Sequence, residues 1–417
     1  MYKIVSLTKK LLASQFYAMS LYARQIAGTV VLLLIVRFLS VYDYGLFASY
    51  NNIVAFCLLF ANPGLSEYIL VSSQNKIKEV QLKIGIFIFY SILVLLLIYA
   101  GSNFTHLESR LIFVLVLIRA YLDSVQPSLM FPYFQTAKKF NLVSCINIFY
   151  SFMTILLAII CYFYKLSLIK FLCMGIVLGV INVIQYSFYA KINYILVIKN
   201  FSRLVKKIDK KIFAYIGTSF VFYAYNKIPS LYVATFIEKE QAALFFSAFA
   251  ISNIISILMA AQYQKMIPEM IKKSYQQIKQ IIKMNMIFLM GLNIVLFVFF
   301  LFTGKYFLHI LYSKEYYENA YPYLLLLSLG NIAISYASIY GAYLTSAGYQ
   351  DIKLKTMFFA SIITITILFI TNKSGIYSAV VAYIISAIFM SFSYKLKGDK
   401  YLHIQKNKEE ENFVKNI

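Results

Sequence analysis

Residues 111–133 read LIFVLVLIRAYLDSVQPSLMFPY. A run of this length is what one helix needs to cross the roughly 30 Å hydrocarbon layer of a membrane. It also carries two charged residues, Arg119 and Asp123, whose spacing of four puts them on one helix face. A charge at bilayer depth costs about 2.5–3.5 kcal/mol on insertion scales, so such residues turn toward a protein interior or a watery cavity. The stretch therefore reads as a spanning helix with a site of chemistry inside it.

Further apolar segments of spanning length flank it. They fall at 16–36, 44–66, 82–100, 142–164, 168–190, 212–236, 242–264, 284–303, 322–347, 354–371 and 376–394, which with 111–133 makes about 12. The composition agrees. Hydrophobic residues make up 61% of the 417, only 13% are charged, and the mean hydropathy is +0.74. A soluble globular chain carries roughly 25% charged residues, so a long soluble enzyme, a disordered chain and a secreted disulfide scaffold are all disfavoured. Runs of about 20 rather than about 10 alternating residues exclude a barrel. The expected fold is an all-α polytopic membrane protein.

The net charge of +23 would point to nucleic acid in a soluble protein. Here it reads as the positive-inside bias. With the termini and even-numbered loops on one side, that side and the adjoining span edges hold 28 of the 39 Lys and Arg residues. Both termini are thus expected in the cytoplasm, which requires an even number of spans. The four cysteines, Cys57, Cys145, Cys161 and Cys173, lie in apolar runs without metal-type spacing and read as buried reduced thiols. No cleavable signal peptide is visible.

The halves echo each other. Phe38–Ser49 and Phe236–Ser247 share four identities at an offset of 198, and Phe134-Gln135-Thr136-Ala137 is matched by Leu344-Thr345-Ser346-Ala347 at 210. Two six-helix lobes in parallel repeat follow, with substrate bound between them. The expected division is an N-lobe at 1–190, a basic cytoplasmic linker at 191–211, a C-lobe at 212–394 and a polar, frayed cytoplasmic tail at 395–417.

Three cations lie inside spans: Arg24, Arg119 and Lys227. A guanidinium donates two parallel hydrogen bonds and stays charged, which suits phosphate, so a cavity gathering these cations favours a phosphorylated or acidic substrate. Asp123 is either the structural partner of Arg119 or a coupling acid for a proton or cation. Pro229, inside span seven, is a hinge or a static kink. Tyr22, Tyr121, Tyr225 and Tyr340 lie at a depth where a ring with a hydroxyl suits sugars, with lipid or core packing as the plainer fate. His106, His309 and His403 are scattered, and no motif for hydrolysis, nucleotide binding or metal chelation is present. An enzyme is not expected, and no cofactor or metal is implied.

Five short motifs in order resemble the polysaccharide transporter family of the MOP superfamily, the Wzx-type O-antigen flippases. They are Leu39, Asp43, Gly45 and Phe47 after span one; Asn62-Pro63-Gly64-Leu65 at the end of span two; and Tyr133 to Phe140 after span four. The others are Glu315, Tyr316, Ala320 and Pro322 before span ten, and Gly375-Ile376-Tyr377-Ser378-Ala379 at span twelve. Asn62, Thr136, Ser313 and Ser378 depart from the family pattern. The resemblance implies a bacterial inner-membrane flippase moving undecaprenyl-pyrophosphate-linked repeat units to the periplasmic leaflet. It implies alternating access through a cationic cavity, driven by an ion gradient. Membrane lipids, H⁺ or Na⁺ as coupling ion, an O-antigen polymerase and a chain-length regulator are the partners this leaves in view. Nucleic acid is not among them. Competing readings are a drug/cation antiporter, disfavoured because span one carries Arg24 and no acid, and an O-antigen polymerase, disfavoured because no odd-numbered loop is long. A lipid II flippase would be expected to have helices beyond 12.

Overall fold

The computed structural model describes residues 20, 23–24, 26–72, 77–102, 109–137, 139–192, 195, 197–199, 212–270, 273–312 and 315–415. Tyr22, His106, Ser313 and most of the linker at 191–211 lie outside the described residues.

Among the described residues every regular element is helical. In chain order they are α1 (Ile26–Phe38), α2 (Val41–Cys57), α3 (Leu65–Ser72), α4 (Ile77–Gly101), α5 (Arg110–Ala120), α6 (Gln126–Thr136), α7 (Phe140–Phe163) and α8 (Leu168–Ala190). The series continues with α9 (Ile212–Phe236), α10 (Lys239–Ser252), α11 (Ile254–Met270), α12 (Tyr275–Tyr312), α13 (Tyr321–Ser346), α14 (Gln350–Ile370) and α15 (Ile376–Lys415). Each apolar run expected from sequence has a helical counterpart. Among the described residues eight stretches are long and apolar enough to cross a membrane. Spans two, seven and eight fall short, and span one is described only in part.

Span two shows why. Pro63 cannot continue a helix, and Gly64 follows in the left-handed region at φ 73°, where a side chain is strained. The run is therefore split into α2 and α3. Span eight breaks between Ser252 and Ile254. Span four changes character in its middle: Tyr121–Val125 form a π-helical turn between α5 and α6, a feature common at functional sites.

The chain divides into two compact units, Met1–Tyr223 and Ala224–Ile417. The boundary falls inside α9. In the first unit α5 packs on α2 and α8, and α6 on α3 and α4. In the second, α13 is central and packs on α12, α15, α11 and α10.

Two sequence expectations are corrected. The tail beyond 394 is not frayed: α15 runs unbroken to Lys415. Its inner face carries on past the span, with Tyr394 and Leu402 buried, Tyr401 stacked on Tyr349 at 3.9 Å and Lys397 donating to Thr356 at 2.8 Å. The Glu409 carboxylate accepts from the Tyr275 backbone N–H at 2.9 and 3.1 Å, at the start of α12. The cysteines are free, but only Cys161 is buried; Cys145 and Cys173 face outward.

Candidate functional site

The site is built where span four is interrupted. Pro127 has no N–H, so the carbonyl of Asp123, four residues back, loses its helical donor. The Gln126 N–H turns back to Tyr121 instead. The orphaned Asp123 carbonyl is met from another helix: Arg24 donates its Nη2 to it and its Nη1 to Asn147 Oδ1 on α7 at 3.3 Å. The same logic repeats one turn on. Pro132 orphans the Ser128 carbonyl, and the Ser66 hydroxyl from α3 donates to it at 3.0 Å. Asn62 Nδ2 donates to Ser128 Oγ at 2.5 Å. Two prolines in span four thus make two acceptors that the first two spans satisfy.

The Asp123 side chain sits between two donors. Arg119 Nε lies 3.5 Å from one carboxylate oxygen, and the Tyr150 hydroxyl on α7 donates to the other. The Arg119 and Asp123 side chains keep only 14% and 24% of their exposure. The Arg119 guanidinium lies over the Phe171 ring at 4.3 Å, and Arg24 lies near the Tyr150 ring at 5.3 Å, both within cation–π range.

Room for this cluster comes from α8. A side chain at Gly175 would meet Arg119 Nε at 2.8 Å, and one at Gly179 would meet Asp123 Oδ1 at 3.0 Å. Phe171, Gly175, Gly179, Asn182 and Tyr186 form one stripe of α8. Tyr186 donates to Asn147 Oδ1 at 3.1 Å and so joins the Arg24 network. Asn182 is 1% exposed, and neither atom of its amide has a partner among the described residues. Arg119 Nη1 is likewise buried without a partner. A cavity of about 230 Å³ opens between α1, α2 and α5, with Arg119, Asp123 and Asn51 as its polar lining.

Of the residues read from sequence, Arg24, Arg119 and Asp123 come together. Lys227 lies half-buried on α9 in the second unit, where its carbonyl accepts from Ser230 Oγ at 3.0 Å. Pro229 is buried inside the same helix. Tyr121 is buried, bonded to Gln126 at 2.7 Å and to Ser91 at 2.8 Å. Tyr225 is buried in the second unit, and Tyr340 there donates to Asp399 at 3.2 Å. Asn147, Tyr150, Asn182 and the two α8 glycines were not singled out by sequence. For the two glycines the signal was the small-residue stripe of α8, whose spacing matches that of Arg119 and Asp123; Asn147 and Tyr150 on α7 carried none.

No family model matches the chain, and no curated protein sequence does. Solved structures do. The lipid II flippase MurJ in an inward closed conformation aligns with a TM-score of 0.71 at 14% identity, covering 94% of this chain and 89% of that one. An inward-facing multidrug resistance MATE family transporter of the MOP superfamily aligns at 0.63 and 12%, covering 92% and 96%. The MATE transporter VcmN of Vibrio cholerae aligns at 0.61 and 11%, covering 97% and 98%. The chain is thus a polytopic helical membrane protein. Its fold is the one that these transporters and the flippase share.

Proposed function

We propose that the protein is a flippase for lipid-linked oligosaccharides, moving undecaprenyl-pyrophosphate-linked repeat units from the cytoplasmic to the periplasmic leaflet of a bacterial inner membrane. The observation that carries this reading is the charge of the buried cluster. Two guanidiniums gather at one acidic residue, Asp123: Arg119 at its carboxylate and Arg24 at its backbone carbonyl. A transporter of cationic drugs would be served by an excess of buried acid; here the excess is basic. Arginine forks suit pyrophosphate, whose oxygens accept paired donors.

Within this reading Arg24 and Arg119 are anion-binding residues of the N-lobe, 1–190, and Lys227 is the cation supplied by the C-lobe, 212–394. Asp123 is the group through which H⁺ or Na⁺ couples to transport, and Pro229 is the hinge. The basic linker 191–211, the C-terminal extension and both termini face the cytoplasm. The MurJ likeness supports a lipid-linked substrate, because that structure is named as a lipid II flippase. The MATE likenesses fit the drug-antiporter alternative equally well at the level of fold; the basic excess in the cluster favours the flippase.

The test is deletion of the gene in its native host, read on a gel of surface polysaccharide. Loss of the long-chain ladder, restored by the intact gene and not by an Arg24→Ala copy, is the expected result. An unchanged ladder, with altered drug sensitivity, would replace this reading by the antiporter.

A further inference from the structure

We infer that the Asp123 carboxylate is an exchangeable internal counter-anion, occupying on Arg119 the seat that the pyrophosphate of the substrate takes during transport. This deepens the anionic-substrate reading above and rests on it.

The geometry supports exchange in four ways. The Arg119–Asp123 contact is made side-on through Nε at 3.5 Å, without the paired fork that makes such ion pairs strong. The far nitrogen, Nη1, is buried with no acceptor among the described residues; an anion with several oxygens would give it one. Among the described residues Arg24 is held only by neutral acceptors, the Asp123 carbonyl and the Asn147 amide, so its charge meets no carboxylate of its own there. Finally, the Tyr150 hydroxyl donates to the second carboxylate oxygen and can hold Asp123 once Arg119 turns away. The cavity lined by Arg119 and Asp123 is where a phosphate group has room to make the exchange.

A competitor built into a site has a signature that a merely structural residue lacks. Removing the competitor tightens ligand binding, and removing whatever draws the competitor aside weakens it. The experiment uses the full-length protein in nanodiscs and titration calorimetry. The probes are inorganic pyrophosphate and a short-chain polyprenyl pyrophosphate, which separate a free from a lipid-borne headgroup. Asp123→Asn, which removes the charge and keeps the shape, is expected to tighten binding about tenfold, the equivalent of about 1.4 kcal/mol. Tyr150→Phe, which leaves the carboxylate more dependent on Arg119, is expected to weaken binding about threefold, and to have no effect in the Asp123→Asn background. Thermal unfolding of each variant checks folding.

Equal or weaker binding by folded Asp123→Asn would overturn the inference. If that variant does not fold, Tyr150→Phe decides alone: unchanged or tighter binding overturns it. Absence of binding of both probes to wild type and to both variants would instead remove the anionic-substrate reading.

Discussion

In the first unit Arg119 on α5 packs against Gly175 on α8. In the second unit the partners are reversed: Gly330 on α13 leaves the gap and the Tyr383 ring on α15 fills it, 2.6 Å from where a Cβ at Gly330 would stand. These helices stand fourth and sixth in each half. The interiors differ in kind as well. Around Arg119 the polar groups are charged. Around Tyr383 they are neutral: Tyr383 donates to Asn331 at 2.5 Å, Asn331 to the Ser252 carbonyl at 2.7 Å, and Asn293 to Ser335 at 2.8 Å. The adjoining cavity, about 120 Å³, is lined by Phe299, Phe300 and Phe307 with Asn293 and Asn331 among its polar groups. One packing solution, a glycine facing a large polar side chain, thus serves a neutral hydrogen-bonded core in one half and a charged, incompletely satisfied one in the other. Fully satisfied buried networks fix a structure, whereas orphaned buried groups call for another explanation. The unpaired atoms of Asn182 and Arg119 lie at the charged cluster itself and make it the candidate ligand site.

That contrast can be broken by making the first unit neutral. Arg119→Leu leaves the Asp123 carboxylate without its cation and is expected to cost about 3 kcal/mol of stability, read as a lowered Tm in detergent. The double variant Arg119→Leu/Asp123→Leu is expected to recover most of that loss while remaining unable to transport. Recovery of transport as well would mean the charges are only structural.

A smaller effect is expected in the second unit. Asn331→Leu leaves the Tyr383 hydroxyl without its acceptor, at a cost of about 1–3 kcal/mol, with no change in pyrophosphate affinity measured by calorimetry. Smaller still is Ser66→Ala, which removes the donor to the carbonyl freed by Pro132, at about 1 kcal/mol. At the surface, Glu409→Gln weakens the cap on α12 by about 0.5 kcal/mol, read as faster proteolysis of the tail with transport intact.

Much of the fold was legible in sequence because lipid leaves a chain few choices. A backbone with no water to bond must be helical, and hydropathy then marks each span. Pro63-Gly64 announced a break that the sequence reading took for a span end. Several family-like motifs proved to be matters of geometry: Ser40 caps α2 by accepting from the Asp43 N–H at 3.0 Å, and Asn62 ties the break in span two to span four. The length of α15 was missed because 395–415 is charged on its outer face, which masks the inner face that packs at Tyr394 and Leu402. Arg24, Arg119 and Asp123 stood out because charge inside a span is costly. Their partners did not, because Asn147, Tyr150 and Asn182 are uncharged, and pairing across helices is set by packing that periodicity does not encode. Besides the α8 glycines, the partner open to sequence reasoning was the Asp123 carbonyl, since a proline four residues later frees that acceptor.

The most direct measurement is flipping of a fluorescent polyprenyl-pyrophosphate-linked oligosaccharide in proteoliposomes. Wild type, Arg24→Ala, Arg119→Ala, Lys227→Ala and the linker variant Lys206→Ala would be compared at equal protein density. The expected result is transport by wild type and Lys206→Ala, with at least a tenfold loss, about 1.4 kcal/mol, in each of the other three. Full rates in all three cation variants would contradict the claim that buried arginine and lysine carry the substrate's pyrophosphate.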